Sequence, residues 1–163
     1  MNGRQFAYKT ESSTATCTLV HLETIDYYVK PNSNVIISLL DCSKAFDRVN
    51  FKLLFSILSD KGFCPLVSRL LAIMYSNIEA EVKWNGFSSD IFKVNRGVKQ
   101  GGVISPLMFN LYTEPLISRI IESRVGCHVG DTSASILIYA DDIALVAPTR
   151  EAKQKLLSIC QDF

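Results

Sequence analysis

The chain has 163 residues, 48% of them hydrophobic, with 17 basic and 16 acidic side chains and a formal charge of +1. That length suits one domain with a real core, and the apolar fraction excludes a disordered or tail-like protein. The charge balance excludes nucleic-acid binding through a bulk basic excess, so any such contact has to be local or shared with further domains.

A mean hydropathy of +0.18 implies that some apolar surface packs against a partner or against further chain. The cysteines, Cys17, Cys42, Cys64, Cys127 and Cys160, are scattered and odd in number with no C-x-x-C, which argues against a zinc site or a disulfide framework. Reduced thiols, no signal segment and no apolar run of membrane-spanning length place the expectation inside the cell, nuclear or cytoplasmic, with no membrane partner.

In chain order, Ser12, Ser13 and Thr14 offer N-caps to a helix whose inward face reads as Leu19, Val20, Leu22, Ile25 and Val29. Asn34 to Leu40 is a β-branched run that reads as a buried strand and delivers Asp41 at its end. Asn50 caps a helix with Phe51, Leu54, Phe55 and Leu58 inward, stopped by Gly62. Pro65 opens the next helix, which carries Leu66, Leu70, Leu71 and Met74. From Glu79 the period changes to two: Ala80, Val82 and Trp84 alternate with charged residues, and Asn85-Gly86 predicts a type I′ turn into a strand from Phe87 to Val94.

Arg96 to Val103 is a loop with three glycines, and Ser105-Pro106 starts a long helix through Ile121, expected to bend where Pro115 lacks a backbone donor. Ser135 to Tyr139 and Ile143 to Ala147 read as apolar strands flanking Ala140-Asp141-Asp142, and Thr149 caps a last helix that is still running at Cys160. Strands mixed with helices and tight hairpins predict an α+β fold, an antiparallel sheet with helices packed on one face.

The chemistry concentrates in carboxylates. An Asp-Asp pair in a turn is, taken alone, more often a solvated turn than a site. Asp41 at the end of another strand changes that weighing, because carboxylates at the ends of neighbouring strands can share a pair of divalent ions. The glycine loop permits close backbone approach to a ligand just before a helix N-terminus, although such a loop by itself is usually a plain connection.

Three ordered blocks carry a family resemblance. LLDCSKAFDRV, GVKQGGVISPLMFNLY and YADD resemble the first-aspartate, glutamine-glycine and double-aspartate blocks of a reverse transcriptase palm of the non-LTR (LINE-like) retrotransposon type. QFAYKTESSTATCTLVHLETIDYY and WNGFSSDIFKVNRGVKQGG are also similar to that family, so the likeness covers nearly the whole chain. It implies RNA-directed DNA polymerase activity, two-metal nucleotidyl transfer from a dNTP to a primer 3′-hydroxyl on an RNA template.

Carried over by position, the resemblance makes Asp41, Asp141 and Asp142 the catalytic and metal-binding residues, with Asp41 and Asp141 holding two Mg²⁺ (or Mn²⁺) ions and Asp142 supporting the site more than coordinating tightly. Cys42, Ser43, Lys44, Ala45, Phe46, Gln100 and Gly101 become the nucleotide-binding positions, with Phe46 as the gate that excludes a ribose 2′-hydroxyl and Asp47 in a local structural role. Residues 1–33 would be a fingers-side segment and 34–163 the palm, with the upstream fingers and downstream thumb of a longer polyprotein expected outside the sequence. The implied partners are an RNA template, a DNA primer, a dNTP and those missing segments. Lys9-Thr10-Glu11 departs from the more basic stretch usual at that place.

Two other readings compete. One is a catalytically silent reverse-transcriptase-like remnant that binds RNA or protein. The other is an unrelated two-metal hydrolase, which leaves Phe46 and the Gln100-Gly101 loop without a role.

Overall fold

The computed structural model describes residues 3–163. In chain order the elements are α1 (Thr14–Val29), β1 (Ile36–Asp41), the single-turn α2 (Ala45–Arg48), α3 (Phe51–Asp60) and α4 (Pro65–Ser76). Then follow β2 (Glu79–Ala80), β3 (Lys83–Trp84), β4 (Phe87–Ser88), β5 (Phe92–Lys93), α5 (Ser105–Glu122) and β6 (His128–Val129). The last elements are β7 (Thr132–Ser133), β8 (Ile136–Tyr139), β9 (Asp142–Ala147) and α6 (Arg150–Gln161). The fold is α+β, in two compact units: residues up to 43 together with 113–163, and residues 44–112.

The first unit is built on an antiparallel sheet of order β1-β9-β8. Its register alternates cleanly, with Ile36↔Ala147, Ser38↔Leu145 and Leu40↔Ile143 on one face, and Ile136 and Ile138 of β8 opposite Leu145 and Ile143. That face is buried against Leu116, Ile117 and Ile120 of α5 and Leu156 of α6, a core of aliphatic side chains excluded from water. Thr149 caps α6, its Oγ1 accepting from the Ala152 N–H at 3.1 Å. α6 runs from Arg150 to Gln161, with Asp162 in the C-cap position.

The other face of the sheet carries Leu39 and Asp41 of β1, Leu137 and Tyr139 of β8, and Asp142 and Ala144 of β9. β1 was expected to be buried; it is an edge strand with alternating burial, and Leu39 is 78% exposed. A β-branched run fits an edge strand as well as a central one, so composition did not distinguish them.

α1 also differs from expectation. Of the three caps the sequence offers, Ser13 is the one used, but Leu19, Leu22 and Val29 are exposed, and the inward residues are Thr24, which is buried, with Cys17, Val20, His21, Ile25 and Tyr28 half-buried. A polar Thr24 turns inward because its hydroxyl donates to the Val20 carbonyl at 2.7 Å and carries its own partner into the interior. Tyr28 anchors the helix from the same side: its hydroxyl donates to the His128 carbonyl (2.9 Å) and accepts from the His128 N–H (2.8 Å). The β6-β7 hairpin holding that histidine was not anticipated, its strands being only two residues each.

In the second unit, α3 and α4 pack through Leu54, Leu58, Leu71 and Tyr75, joined by Val49, Val98, Met108 and Phe109. Asn50 caps α3 as read from the sequence, its Oδ1 accepting from Lys52 N–H at 2.9 Å. Asn85 and Gly86 both take positive φ (48° and 83°), as a type I′ turn requires, but the hairpin is two short ladders, β3-β4 and β2-β5, interrupted between them. α5 runs unbroken past Pro115, and the division between the units falls within it, after Tyr112.

Candidate functional site

In the first unit β1 ends where β9 begins. Asp41 and Asp142 are directly opposed in the register, and Tyr139 stands across from Asp142 on β8. All three lie on the face away from α5 and α6, beside a cavity of about 390 Å³ also lined by Cys17, Leu39 and Leu137. Asp41 and Asp142 are exposed and Asp141 is half-buried.

Three carboxylates at one end of a sheet create a negative potential that a neighbouring group should register, and Cys42 does. Its thiol is pushed above its ordinary value first by burial, then by Asp141, Asp41 and Asp142 in that order. Strand pairing thus sets Asp41 beside Asp142, with Asp141 next to it in the chain, although Asp41 is far from the other two in sequence.

Ala140 connects β8 to this acidic pair. It adopts a left-handed conformation (φ 57°), which costs a residue with a Cβ about 1–2 kcal/mol. The Gln5 side chain meets it: Oε1 accepts from the Ala140 N–H and Nε2 donates to the Ala140 carbonyl, both at 3.2 Å. Gln5 opens the QFAYKTESS stretch that is similar to the family, but that likeness gave it no role at this site, and its partner is 135 positions away.

In the second unit Lys44, also left-handed (φ 58°), leads into α2 and Phe46. Phe46 is half-buried and stacked on Phe109, with centroids 4.7 Å apart and planes 14° from parallel. Backbone bonds from Gly97 N–H to the Val49 carbonyl (2.9 Å) and from Val98 N–H to the Phe46 carbonyl (2.8 Å) hold the glycine loop beside α2. Gln100 Nε2 donates to Asp47 Oδ1 at 3.1 Å, so Asp47 pairs with a residue of this loop 53 positions away and not with a local partner as expected. Gly97 is required here: a Cβ on it would lie 2.8 Å from the Asp47 backbone. Gly101 has φ 79° and open space around it.

Of the residues singled out from the sequence, Asp41, Cys42, Ser43, Asp141 and Asp142 thus fall in the first unit. Lys44, Ala45, Phe46, Gln100 and Gly101 fall in the second. Among the described residues, no three His, Cys, Asp or Glu side chains form a set that could hold a metal ion. Also among them, no helix is long and apolar enough to cross a membrane.

Against known families, residues 1–163 match the profile described as Reverse transcriptase (RNA-dependent DNA polymerase). The chain belongs to this family. It is 36% identical over 128 residues to the Retrovirus-related Pol polyprotein from type-2 retrotransposable element R2DM of Drosophila melanogaster, covering 76% of this chain and 12% of that protein. It is 31% identical over 122 residues to the Pol polyprotein of the type-1 retrotransposable element R2 of Nasonia vitripennis, covering 75% of this chain and again 12% of the relative. This reverse transcriptase domain therefore spans about an eighth of the length of those relatives.

Among solved structures, apo telomerase from Candida tropicalis superposes with a TM-score of 0.71 at 14% identity, over 97% of this chain and 32% of that one. Telomerase from Candida albicans in complex with a fragment of telomeric RNA gives 0.64 at 12% identity, over 97% of this chain and 29% of that one. These likenesses establish the polymerase-type α+β fold. The relatives establish the non-LTR retrotransposon type of reverse transcriptase.

Proposed function

We propose that the domain provides the carboxylates and nucleotide-binding surface of an RNA-directed DNA polymerase, joining a dNTP to a primer 3′-hydroxyl on an RNA template. The observation that carries this reading is the direct cross-strand opposition of Asp41 and Asp142, with Asp141 adjacent in the chain.

The donor set suits Mg²⁺. It consists of hard carboxylate oxygens, and Mg²⁺ takes few of these from protein, completing its octahedron with water and phosphate oxygens. Asp41, Asp141 and Asp142 would hold the ions, which when bound supply a lowered primer-hydroxyl pKa and compensation of charge developing on the α-phosphate.

The remaining work belongs to the chain's own residues. Phe46, held flat on Phe109, is a fixed wall rather than a mobile ring, as steric rejection of a 2′-hydroxyl requires. Gln100, tethered to Asp47, and Gly101, with open space where a Cβ would stand, leave a surface suited to a base or sugar. An RNA template, a DNA primer and further segments of a longer protein are the partners this reading requires.

The test is primer extension on an RNA template, using a version that carries the flanking segments of its relatives. Asp41→Asn and Asp142→Asn should each lower kcat/KM by more than ~100-fold, beyond the loss typical of removing an outer partner of a metal ligand. Wild-type rates in either variant would remove the basis of the reading.

A further inference from the structure

The segment from Arg4 to Ala7 runs alongside β8. Gln5 forms a parallel bridge to Ile138, Phe6 N–H donates to the Ile138 carbonyl and Ile138 N–H donates to the Arg4 carbonyl, both at 2.9 Å. This backbone pairing places Gln5 level with the end of β8, with its side chain directed to the acidic turn and only 2% of its surface exposed.

The amide is used at both ends. Oε1 accepts from Ala7 N–H at 3.0 Å and from Ala140 N–H at 3.2 Å, while Nε2 donates to the Ala140 carbonyl at 3.2 Å. Two N–H donors converge on one side-chain atom, which only the amide oxygen can satisfy, so the amide orientation is fixed by the network. Ala140 lies beyond the last β8-β9 pair, Tyr139↔Asp142, so those strands do not hold its peptide groups. Gln5 holds them instead, at the left-handed residue immediately before Asp141.

We propose that Gln5 is the positioning residue of the acidic turn: by clamping both peptide groups of Ala140, it fixes the direction from which Asp141 and Asp142 present their carboxylates to a divalent cation. The proposal rests on the metal-site reading above. Gln5 acts through Ala140 and does not touch the cation.

The experiment uses the chain with Mn²⁺ as the probe, its affinity followed by electron paramagnetic resonance and its amides by hydrogen exchange in ¹⁵N NMR. Gln5→Met preserves length and removes all three hydrogen bonds; Gln5→Asn is one methylene short of Ala140 and serves if Gln5→Met does not fold. Either variant should weaken Mn²⁺ binding by about 10–100-fold, the range for loss of a group that orients a metal ligand, and should accelerate exchange of the Ala140 amide. Ser135→Ala is the control, because it deletes a buried hydroxyl bonded to the Cys127 carbonyl in the same unit without touching the turn. It should lose stability yet keep Mn²⁺ affinity and Ala140 protection.

Undiminished Mn²⁺ affinity in the Gln5 variants, or equal weakening in Ser135→Ala, would overturn the proposal. Failure of the metal-site reading has a different signature: no Mn²⁺ binding by the wild type, or none lost in Asp142→Asn. The clamp is then judged by Ala140 exchange alone, and unchanged exchange in Gln5→Met rejects it.

Discussion

Phe46 packs in the core of the second unit, and in the function proposed above it is also the sugar gate, so its replacement should act in two directions. Its stack on Phe109 belongs to the core of the second unit, so Phe46→Ala should cost about 2–3 kcal/mol in urea unfolding, somewhat below a fully buried phenylalanine. Phe46→Leu keeps most of that packing. In a version with flanking segments it should still raise ribonucleotide over deoxyribonucleotide use in kcat/KM, and equal discrimination by parent and variant would leave Phe46 as core alone. Gly97→Ala should destabilise by about 2–4 kcal/mol, because its Cβ would overlap the Asp47 backbone at a φ of 92° that alanine avoids. Cys160 gives a pH signature. Burial, then the neighbouring Cys42, pushes its thiol up to about 11 from an ordinary 9.0. Because the folded value is raised, the associated stability is complete below pH 9 and is lost as pH rises toward 11. Melting temperatures across that window should fall more for the wild type than for Cys160→Ala, and parallel curves would contradict this.

Helical geometry separates neighbours sharply on α4. Leu71 and Tyr75 close the core against α3, while Leu66, Leu70, Ile73 and Met74 are all more than half exposed. Leu71→Ala should therefore cost about 2–4 kcal/mol in chemical denaturation, against less than about 0.5 kcal/mol for Leu70→Ala one position earlier. Comparable losses would mean that α4 is rotated from the orientation described. The sequence showed that this helix exists and where it starts, since Pro65 and the leucine spacing are local features. It did not show the inward side, because leucines occur on both sides and only contact with α3 selects Leu71. α1 repeats the point, with Thr24 inward and Leu22 out.

Taken whole, the chain joins a near-neutral charge to a large exposed apolar surface: Leu66 is 75% exposed, and Trp84 and Phe87 at the β3-β4 turn are 80% and 79% exposed. It should associate with itself in sedimentation velocity at micromolar concentrations, and Leu66→Lys combined with Leu70→Lys should shift it toward monomer. With a formal charge of +1 it has little counterion release to hold a polyanionic duplex, so on its own it should extend a primer by no more than isolated nucleotides. Processive products, lost in Asp141→Ala, would show that the chain holds its duplex without help.

The division between sequence and structure follows the range of the interactions. Caps at Ser13, Asn50 and Thr149, the Asn85-Gly86 turn and the strands around Asp141-Asp142 are settled within a few residues, so the sequence alone determined them. The ordered blocks also determined the family, because three spaced motifs are improbable together by chance. Only the tertiary structure decided that β1 is an edge, that Asp41 opposes Asp142, and that Gln5 reaches Ala140. Each of these depends on a pairing between distant strands, fixed by burying one face of a sheet that no local stretch of sequence contains.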